Sequence, residues 1–483
     1  MRTSFRLLGA TGVVLGAMGL VVACSDDEAA PPPTTQPETS TPDVASGSQP
    51  ISIGVNLSLT GAGAPYGQAE QSGTKVAEQL INSLGGILGR QVKFVIADDT
   101  STTDPSKANA QKFLDQKLPI MLGPTLSAQS GALQALLKEK RVAIISPSAS
   151  TPGTREAEGP KDRFYFRTAA SHALQAKAIG RKIFNGFSDA TVADAGADAA
   201  ADAAEEGGTD AGAPAACKNA AVVYIKDDAY GKPIMAGIKA EIERLGGKIT
   251  PIELAATGAA NYDTDAAAMV AAKTDCQVVA TLYKDGIAYM RSYKKAIEGD
   301  NSRDWSKFAT IGTNGIFSNA FLVDGRDDKA NPDSPTVGEG MYVVNLDLNP
   351  DIPQYKEFKN IYLLQFPLPM GKTDLEGYTA NQFDAAILAC LAIQKAGTAD
   401  DPIKIRDALF EVSRPPGAAF SPAAIGDALG ALRLGNDVDY DGASGPVDFD
   451  DYGEVLAGYV VYRVKQGKFA LLPKDTIKVE DLK

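Results

Sequence analysis

The chain has little of what enzymes commonly use for catalysis and metal binding. Among 483 residues it has one histidine, one tryptophan and four cysteines. The histidine, His172, follows Ser171 at a predicted helix start, which is typical of a solvated surface side chain. No Gly-x-Ser-x-Gly elbow and no cysteine–histidine cluster with metal-binding spacing occurs. We therefore predict a protein that is not an enzyme, with no catalytic residue, no metal and no cofactor.

An excess of positive charge is also missing. The chain has 47 lysine and arginine residues against 60 aspartate and glutamate residues, which gives a net charge of −13. Nucleic-acid binding needs a basic surface, so we exclude nucleic acid as a partner. The apolar fraction of 44% is typical of a globular protein, and the length predicts two domains.

The one long apolar run lies at the N-terminus. Two arginines precede a run from Leu7 to Val22, which ends in Val21-Val22-Ala23-Cys24. This pattern is typical of a secretory signal, and its cysteine resembles the lipobox of bacterial lipoproteins. We expect residues 1–23 to be a signal peptide and Cys24 to carry lipid. Residues 24–49, rich in proline, threonine and acid, would form a disordered tether.

Beyond the tether, short apolar runs alternate with helical patterns. The first series starts at Ile51, and a second series starts at Ala220. Repeated strand–helix units predict parallel sheets covered on both faces, here in two lobes. Residues 188–216, rich in alanine, aspartate and glycine, interrupt the pattern, and we expect a disordered insertion. Near the C-terminus, Gln466-Gly467 predicts the turn of a hairpin.

Two consecutive predicted strands end in turns crowded with small hydroxyl residues. Ile120–Leu122 leads into residues 123–127, and Val142–Ile145 leads into residues 146–151. In open α/β sheets ligands bind beyond the carboxyl ends of the strands. Free N–H groups at a following helix start suit an anion. Ordinary turn and cap residues would give the same pattern, so that alternative stays open here.

Motifs of one family occur in order along the chain. They are Tyr66-Gly67, Gly85-Gly86-Ile87-Leu88-Gly89-Arg90, Asp98-Asp99, Gly123-Pro124, Ile145-Ser146-Pro147-Ser148-Ala149, Phe166-Arg167-Thr168, Asp228-Ala229-Tyr230-Gly231, Gly445-Pro446-Val447-Asp448-Phe449-Asp450 and Tyr459-Val460-Val461-Tyr462. The chain thus resembles the type 1 periplasmic binding proteins, in particular the Leu/Ile/Val-binding branch of ABC-transporter receptors. The resemblance covers residues 51–472 except the acidic insertion.

The resemblance implies a fold of two doubly wound, parallel-sheet α/β lobes joined by three crossings. The ligand would lie in the cleft between the lobes. The crossings fall near residues 168, 346 and 448. Lobe 1 would comprise residues 51–168 plus 346–448, and lobe 2 residues 169–345 plus 449–483. Hinge closure would bury the ligand and create the shape that a membrane partner recognises.

The resemblance also implies which residues contact the ligand. They are Tyr66, Ser127, Ser148, Ala149, Ser150, Tyr230, Tyr283, Asp285 and Asn314. The three serines would hold a carboxylate, and Tyr66 would lie against the ligand side chain. Asn314 stands where amino-acid binders of this branch place an acid for the ligand ammonium. Asp285 or Asp227 could supply that charge, or the ligand could be an amide or a carboxylic acid.

These features predict an extracytoplasmic solute-binding lipoprotein. It would capture a small carboxylate-bearing ligand, such as an amino acid or amide, and deliver it to an ABC permease. The alternative is a lipoprotein of the same fold that senses a ligand and signals to a membrane partner without transport. We expect a monomer in the periplasm, held by its lipid, and Ser25 after the lipidated cysteine favours the outer membrane.

Two further motifs are weak. The glycine-rich turn from Gly61 to Gly67 suits a dinucleotide loop, but the acid expected after the next strand, Asp98, lies too far along the chain. Asp437-x-Asp439-x-Asp441-Gly442 imitates the start of a calcium loop, without the flanking helices or the bidentate glutamate. We expect a polar hairpin loop there.

The remaining cysteines predict one disulfide. Cys217 and Cys276 precede the first and third strands of the second lobe, which are neighbours in a sheet of order 2-1-3. Neighbouring strands are close enough for a bridge, and an exported protein can keep one. Cys390 lies in an apolar helical pattern and is expected to be a small core residue.

Overall fold

The computed structural model describes residues 49–151, 163–188, 216–347, 351–368 and 374–482. These residues belong to one compact unit. The predicted signal peptide (1–23), the lipidated Cys24, the tether (24–49) and the acidic insertion (188–216) lie outside the described residues, apart from the last residue of the tether and the two end residues of the insertion.

The first sheet is entirely parallel. Its strands are β1 (Ile51–Leu57), β2 (Val92–Asp98), β3 (Ile120–Leu122), β4 (Ala143–Ser146) and β5 (Tyr165–Arg167). They are arranged in the order β2-β1-β3-β4-β5. The first strand therefore lies between the second and the third, as in doubly wound folds.

The second sheet has seven strands. They are β6 (Asn219–Ile225), β7 (Lys248–Leu254), β8 (Cys276–Ala280), β9 (Ala309–Gly312), β10 (Tyr342–Leu346), β14 (Tyr459–Lys465) and β15 (Lys468–Ile477). Their order is β15-β14-β10-β9-β8-β6-β7. The two C-terminal strands pair antiparallel, and Gln466-Gly467 forms the turn between them, as the sequence predicts. A small third sheet contains β11 (Ala418–Phe420), β12 (Val438–Gly442) and β13 (Gly445–Pro446).

Helices cover the sheets. They are α1 (Ala64–Ser83), α2 (Thr103–Asp115), α3 (Ser127–Lys140), α4 (His172–Asn185), α5 (Gly231–Arg244), α6 (Asp263–Ala271), α7 (Tyr283–Ile297), α8 (Asn319–Asp324), α9 (Pro353–Leu363), α10 (Thr379–Ala396), α11 (Pro402–Val412), α12 (Ile425–Arg433) and α13 (Val479–Leu482). On the first sheet, α1 and α10 pack on one face, and α2 and α3 pack on the other. The second sheet has its own core. Two parallel-sheet lobes with separate cores are thus present.

The first helix begins earlier than the sequence suggests. We expect a glycine-rich loop through Gly67, but α1 starts at Ala64, directly after a single turn of 3-10 helix at Gly61–Gly63. Pro65 stands in the first turn of the helix, where its missing N–H costs nothing. Tyr66 is therefore held on a helix rather than on a loop.

The cysteines have two different environments. Cys217 and Cys276 form a disulfide, with their Cα atoms 6.0 Å apart. Cys276 begins β8 and pairs in register with Ala220 of β6, so the bridge lies at the amino-terminal edge of the sheet. Cys390 is fully buried within α10, which confirms the expected core position.

Two features of the described residues concern membranes and metals. None of the helices there combines the length and apolar character needed to cross a bilayer. The same residues contain no group of three or more histidine, cysteine or acidic side chains placed to hold a metal ion.

Candidate functional site

A cavity lies between the two lobes and is bounded by side chains from both. It is bounded by residues that follow the carboxyl ends of β3, β4, β6, β8 and β9. The lining residues are Tyr66, Thr125, Leu126, Ser127, Ala128, Ser148, Asp228, Tyr230, Leu282, Asn314, Gly315 and Tyr378. This is the crevice in which α/β sheets bind ligands.

The structure brings five of the nine predicted contact residues to this cavity. They are Tyr66, Ser127, Ser148, Tyr230 and Asn314. The first three come from the lobe of the first sheet (lobe 1), and the other two come from the lobe of the second sheet (lobe 2). Residues far apart in the chain thus meet at one place.

The other four predicted residues do not line the cavity. They are Ala149, Ser150, Tyr283 and Asp285. The Ser150 carbonyl accepts a hydrogen bond from the His172 amide (2.7 Å). Asp285 accepts hydrogen bonds from the hydroxyls of Thr257 and Tyr262, at 2.8 and 2.6 Å. Asp285 therefore stabilises the interior of its own lobe.

The acid on the cavity wall is Asp228, which belongs to a family motif in the sequence but is not among the nine predicted contact residues. Asp227, proposed there as an alternative, is exposed and pairs with Lys232. The Asp228 carboxylate accepts the Gly231 amide at the start of α5 (2.7 Å). Burial raises the pKa of Asp228, against the lowering effect of this and neighbouring backbone hydrogen bonds.

Sequence reasoning also misses several apolar and aromatic wall residues. Leu126 and Leu282 directly precede α3 and α7, so their position after a strand end is the signal that could have found them. Tyr378 precedes α10 with a left-handed backbone (φ 68°), a conformation that no residue pattern there predicts.

Four helices begin at the cavity wall. Their N-cap residues are Leu126 (α3), Tyr230 (α5), Leu282 (α7) and Tyr378 (α10), and none of these side chains caps its helix. Leucine and tyrosine are poor N-caps, because capping needs a short side chain with an oxygen acceptor. Helix starts of this kind carry a partial positive charge and unsatisfied N–H groups.

The four helix starts differ in nearby negative charge. Asp228 already accepts a hydrogen bond at α5, and Asp285 lies in the first turn of α7. The first turn of α3 contains no acid, and its first residue is Ser127. The Ser127 hydroxyl makes no hydrogen bond within the described part of the chain. The first turn of α10 also contains no acid, but the Tyr378 hydroxyl that precedes it is already hydrogen-bonded to Asn314. Ser127 at the start of α3 therefore offers a hydroxyl that has no partner among the described residues.

Hydrogen bonds join the two lobes across the cavity. The Tyr66 hydroxyl donates to the Gly315 carbonyl (2.7 Å). Asn314 accepts from the Tyr230 hydroxyl (2.5 Å) and donates from Nδ2 to the Tyr378 hydroxyl (2.7 Å). An amide can accept on one side and donate on the other, which a carboxylate cannot. The lobes are therefore closed on each other at this point.

His172 lies behind the wall and not on the surface. The expectation of a solvated side chain is wrong, because the residue is fully buried and its ring packs edge-on against Tyr230, 5.0 Å between centroids. Neither ring nitrogen has a hydrogen-bond partner among the described residues. Burial, with a smaller contribution from Arg167, holds the pKa of His172 well below its usual value.

Comparison with known proteins agrees with this architecture. The family described as "Periplasmic binding protein" matches residues 50–468. The chain belongs to this family. Within it, the relatives and structural neighbours place the chain with the type 1 proteins of the Leu/Ile/Val-binding kind.

Two relatives span most of the chain. The Leu/Ile/Val-binding protein BraC3 of Rhizobium johnstonii is 23% identical over 379 residues, which are 76% of this chain and 85% of the relative. The chemotactic signal transduction system substrate-binding protein BasB of Halobacterium salinarum is 25% identical over 431 residues, 86% of this chain and 87% of the relative. Both are named as binding proteins.

Solved structures of similar fold hold different ligands. The branched-chain amino acid transporter substrate binding protein LivJ of Streptococcus pneumoniae, in complex with isoleucine, has a TM-score of 0.64 at 18% identity. The matched region covers 88% of this chain and 99% of the LivJ chain. A solute binding protein from R. palustris in complex with benzoate has a TM-score of 0.62 at 17% identity, covering 88% and 96%. At these identities the comparison establishes the fold, and membership of the family implies an extracytoplasmic location.

Proposed function

We propose that the protein captures a small carboxylate-bearing ligand by closure of its two lobes and delivers it to an ABC permease. The observation that carries this proposal is the start of α3. The Leu126 side chain does not cap the helix at the cavity, the first turn has no acid, and the Ser127 hydroxyl makes no hydrogen bond to any described residue. These groups suit a carboxylate.

The rest of the wall supports an apolar or aromatic ligand body. Tyr66, Leu126, Tyr230, Leu282 and Tyr378 supply most of the large side chains around the cavity. No lysine, arginine or histidine of the described ranges lines it. An anion would therefore be held by N–H and hydroxyl groups rather than by an ion pair. The neighbours that bind isoleucine and benzoate carry ligands of this kind.

A matched panel of acids and amides tests the ligand class. Residues 50–483 would be titrated with L-isoleucine, L-isoleucinamide, benzoate and benzamide, first by thermal shift and then by calorimetry. A binder present at a hundred times its dissociation constant adds about 2.7 kcal/mol of stability. We expect at least one acid to bind and its amide to bind at least tenfold more weakly. Equal binding of acid and amide would contradict the proposal.

Sensing without transport is the second candidate, because the relative from Halobacterium is named for chemotactic signalling. Deleting the gene separates the two functions. Loss of uptake of the radiolabelled ligand supports transport. Unchanged uptake with loss of a ligand-dependent cellular response supports sensing.

We further propose that Cys24 carries lipid and holds a monomeric protein at the outer membrane, facing the periplasm. The support is the lipobox Val21-Val22-Ala23-Cys24 and the following Ser25. Labelling with a fatty-acid probe should mark the wild type and not Cys24→Ala. A labelled Cys24→Ala protein would contradict this assignment.

A further inference from the structure

A buried carboxyl group lies directly behind the lobe 1 wall. Glu70 of α1 is fully buried, and its Oε2 accepts a hydrogen bond from the Thr125 hydroxyl (2.5 Å). Its Oε1 is hydrogen-bonded to the Ser148 hydroxyl. Thr125 and Ser148 both line the cavity, whereas Glu70 does not. Glu70 can therefore influence a ligand through these two hydroxyls.

The oxygen contacts in this cluster require one proton more than the two hydroxyls carry. Ser148 Oγ is in contact with Glu70 Oε1 and also lies 2.7 Å from the Thr125 carbonyl oxygen. A serine hydroxyl has one hydrogen, and an ionised carboxylate and a carbonyl can only accept. With a proton on Glu70, Glu70 donates to Ser148 and Ser148 donates to Thr125. Each contact then contains a hydrogen, so the geometry fits a neutral Glu70.

The surroundings of Glu70 contain acids and phenols. Asp98 ends β2 and Asp99 follows it, Tyr66 lies one turn earlier on α1, and Tyr378 precedes α10. Among these, Asp99 raises the pKa of Glu70, because its negative charge opposes ionisation of the Glu70 carboxyl group. In the described part of the chain no basic side chain forms an ion pair with Glu70. Burial is the largest effect and raises the pKa of Glu70 from 4.5 to about 7, although both hydroxyls lower it.

We propose that Glu70 is a specificity-determining residue, whose proton decides whether the lobe 1 wall can bind a carboxylate. A neutral Glu70 donates to Ser148 and so frees the serine hydrogen to turn from the Thr125 carbonyl to the ligand. An ionised Glu70 holds that hydrogen itself and repels an anion at the wall. This inference rests on the proposed carboxylate ligand and adds a proton requirement to it.

The consequence is a pH-dependent affinity. Because the anion binds the protonated form, the apparent dissociation constant should rise about tenfold from pH 6 to pH 8 for a group that titrates near pH 7. Neither benzoate nor the carboxylate of L-isoleucine titrates in this range. Binding at pH 8 should take up close to one proton, which calorimetry detects as a dependence on the ionisation heat of the buffer.

The experiment compares wild type, Glu70→Gln and Glu139→Gln. Glutamine at position 70 is a fixed neutral group that can donate to Ser148. Glu139 is an exposed residue at the far end of α3, so its replacement removes the same charge elsewhere. Each protein is melted without ligand from pH 5 to pH 8. It is then titrated with benzoate and L-isoleucine in phosphate at pH 6 and pH 8, and the pH 8 titrations are repeated in Tris.

We expect the wild type and Glu139→Gln to lose roughly 1–2 °C of melting temperature from pH 6 to pH 8 relative to Glu70→Gln. We also expect the affinity of Glu70→Gln for the bound acid to vary less than twofold with pH, without proton uptake. Both results together support the proposal.

The remaining outcomes overturn it in distinguishable ways. Parallel melting of all three proteins would show that Glu70 does not titrate in this range, whatever the ligand. If Glu70 titrates but the affinity for the acid does not change with pH, the proposed coupling is refuted and the proposed function is unaffected. Glu70 could also titrate while neither benzoate nor L-isoleucine binds at either pH. In that case the proposed coupling and the proposed ligand class both fail, and only the conclusion that Glu70 is neutral in the ligand-free protein stands.

Discussion

The two walls of the cavity differ in how their polar groups are used. On the lobe 2 wall, the side chains of Asp228, Tyr230 and Asn314 are all hydrogen-bonded within the protein. On the lobe 1 wall, Tyr66, Thr125 and Ser148 are hydrogen-bonded too, but the Ser127 hydroxyl makes no hydrogen bond within the described residues. Lobe 1 therefore offers one hydroxyl, that of Ser127, which can bind a ligand without first losing a protein partner.

We infer from this difference which lobe selects the ligand. A polar ligand group gains most from partners that need not first break another bond, because an unpaired buried polar group costs about 1–3 kcal/mol. Under the proposed function, lobe 1 would recognise the charged end of the ligand, and lobe 2 would close over it. The bonds Tyr66–Gly315 and Asn314–Tyr378 hold the closed form.

The lobes also differ in covalent cross-linking. The Cys217–Cys276 bridge lies at the amino-terminal edge of the lobe 2 sheet, whereas the cavity lies at the carboxyl edge. Among the described residues the one remaining cysteine, Cys390, is free. The bridge therefore contributes to lobe 2 stability without reaching the ligand.

The largest expected effect is loss of this bridge. The variant Cys217→Ser/Cys276→Ser should lose about 4 kcal/mol of unfolding free energy in the chain-entropy account, since the bridge spans 59 residues. Affinity for the acid should change less than twofold. Urea unfolding and calorimetry measure the two quantities. Reductant should destabilise the wild type and leave the variant unchanged, and equal effects on both would argue against a bridge in solution.

Much of the fold can be predicted from the sequence, because the spacing of apolar residues and the order of strands and helices are sufficient to define it. The alternation of strands and helices predicts the two parallel sheets, and the 2-1-3 order places Cys217 beside Cys276. The position of Ser127 and Ser148 at the cavity was predictable, since both lie in the turns after β3 and β4, where α/β sheets bind ligands. The start of α1 was not, because glycines near Gly61 suit a loop as well as a helix start.

The parts that the sequence does not predict depend on local backbone geometry and on contacts between lobes. Asp227 and Asp228 are adjacent acids, and the backbone turn at Asp227 (φ 60°) leaves Asp228 at the wall. Tyr378 meets Asn314 by closure of the lobes, which no local pattern encodes. His172 is buried by its packing on Tyr230, although its position at a helix start resembles an exposed cap.

A charge placed at each helix start tests the asymmetry of the walls. Leu126→Asp should weaken acid binding at least 100-fold, because a like charge then faces the ligand carboxylate. The matched Leu282→Asp should cost less than tenfold, since α7 already carries Asp285 in its first turn. As an N-cap, the aspartate of Leu126→Asp should also stabilise the ligand-free protein by about 1 kcal/mol. Calorimetry and thermal melting separate these effects, and equal losses in both variants would refute a lobe 1 anion site.

Removing one hydroxyl is a smaller test of the same wall. Ser127→Ala should cost about 1.5–3 kcal/mol of binding, roughly tenfold or more in affinity, because one charge-assisted hydrogen bond is lost. Its folding should be undisturbed, since the hydroxyl makes no bond in the described part of the chain. Ser150→Ala is the matched control, a buried serine that does not line the cavity. A larger loss of affinity from Ser150→Ala than from Ser127→Ala would show that the carboxylate does not bind at the start of α3.

The smallest effect concerns the lobe 2 wall and distinguishes the two kinds of ligand. In Asn314→Asp, a carboxylate replaces the amide that donates to Tyr378. The hydroxyls of Tyr230 and Tyr378 lie close enough to donate hydrogen bonds to that carboxylate. An added negative charge should weaken benzoate about fivefold and strengthen L-isoleucine by a similar factor, because its ammonium gains a partner. Calorimetry with both ligands on wild type and variant measures the ratio. If both affinities fall equally, Asn314 acts through closure of the lobes alone, and the ligand charge is not recognised at the lobe 2 wall.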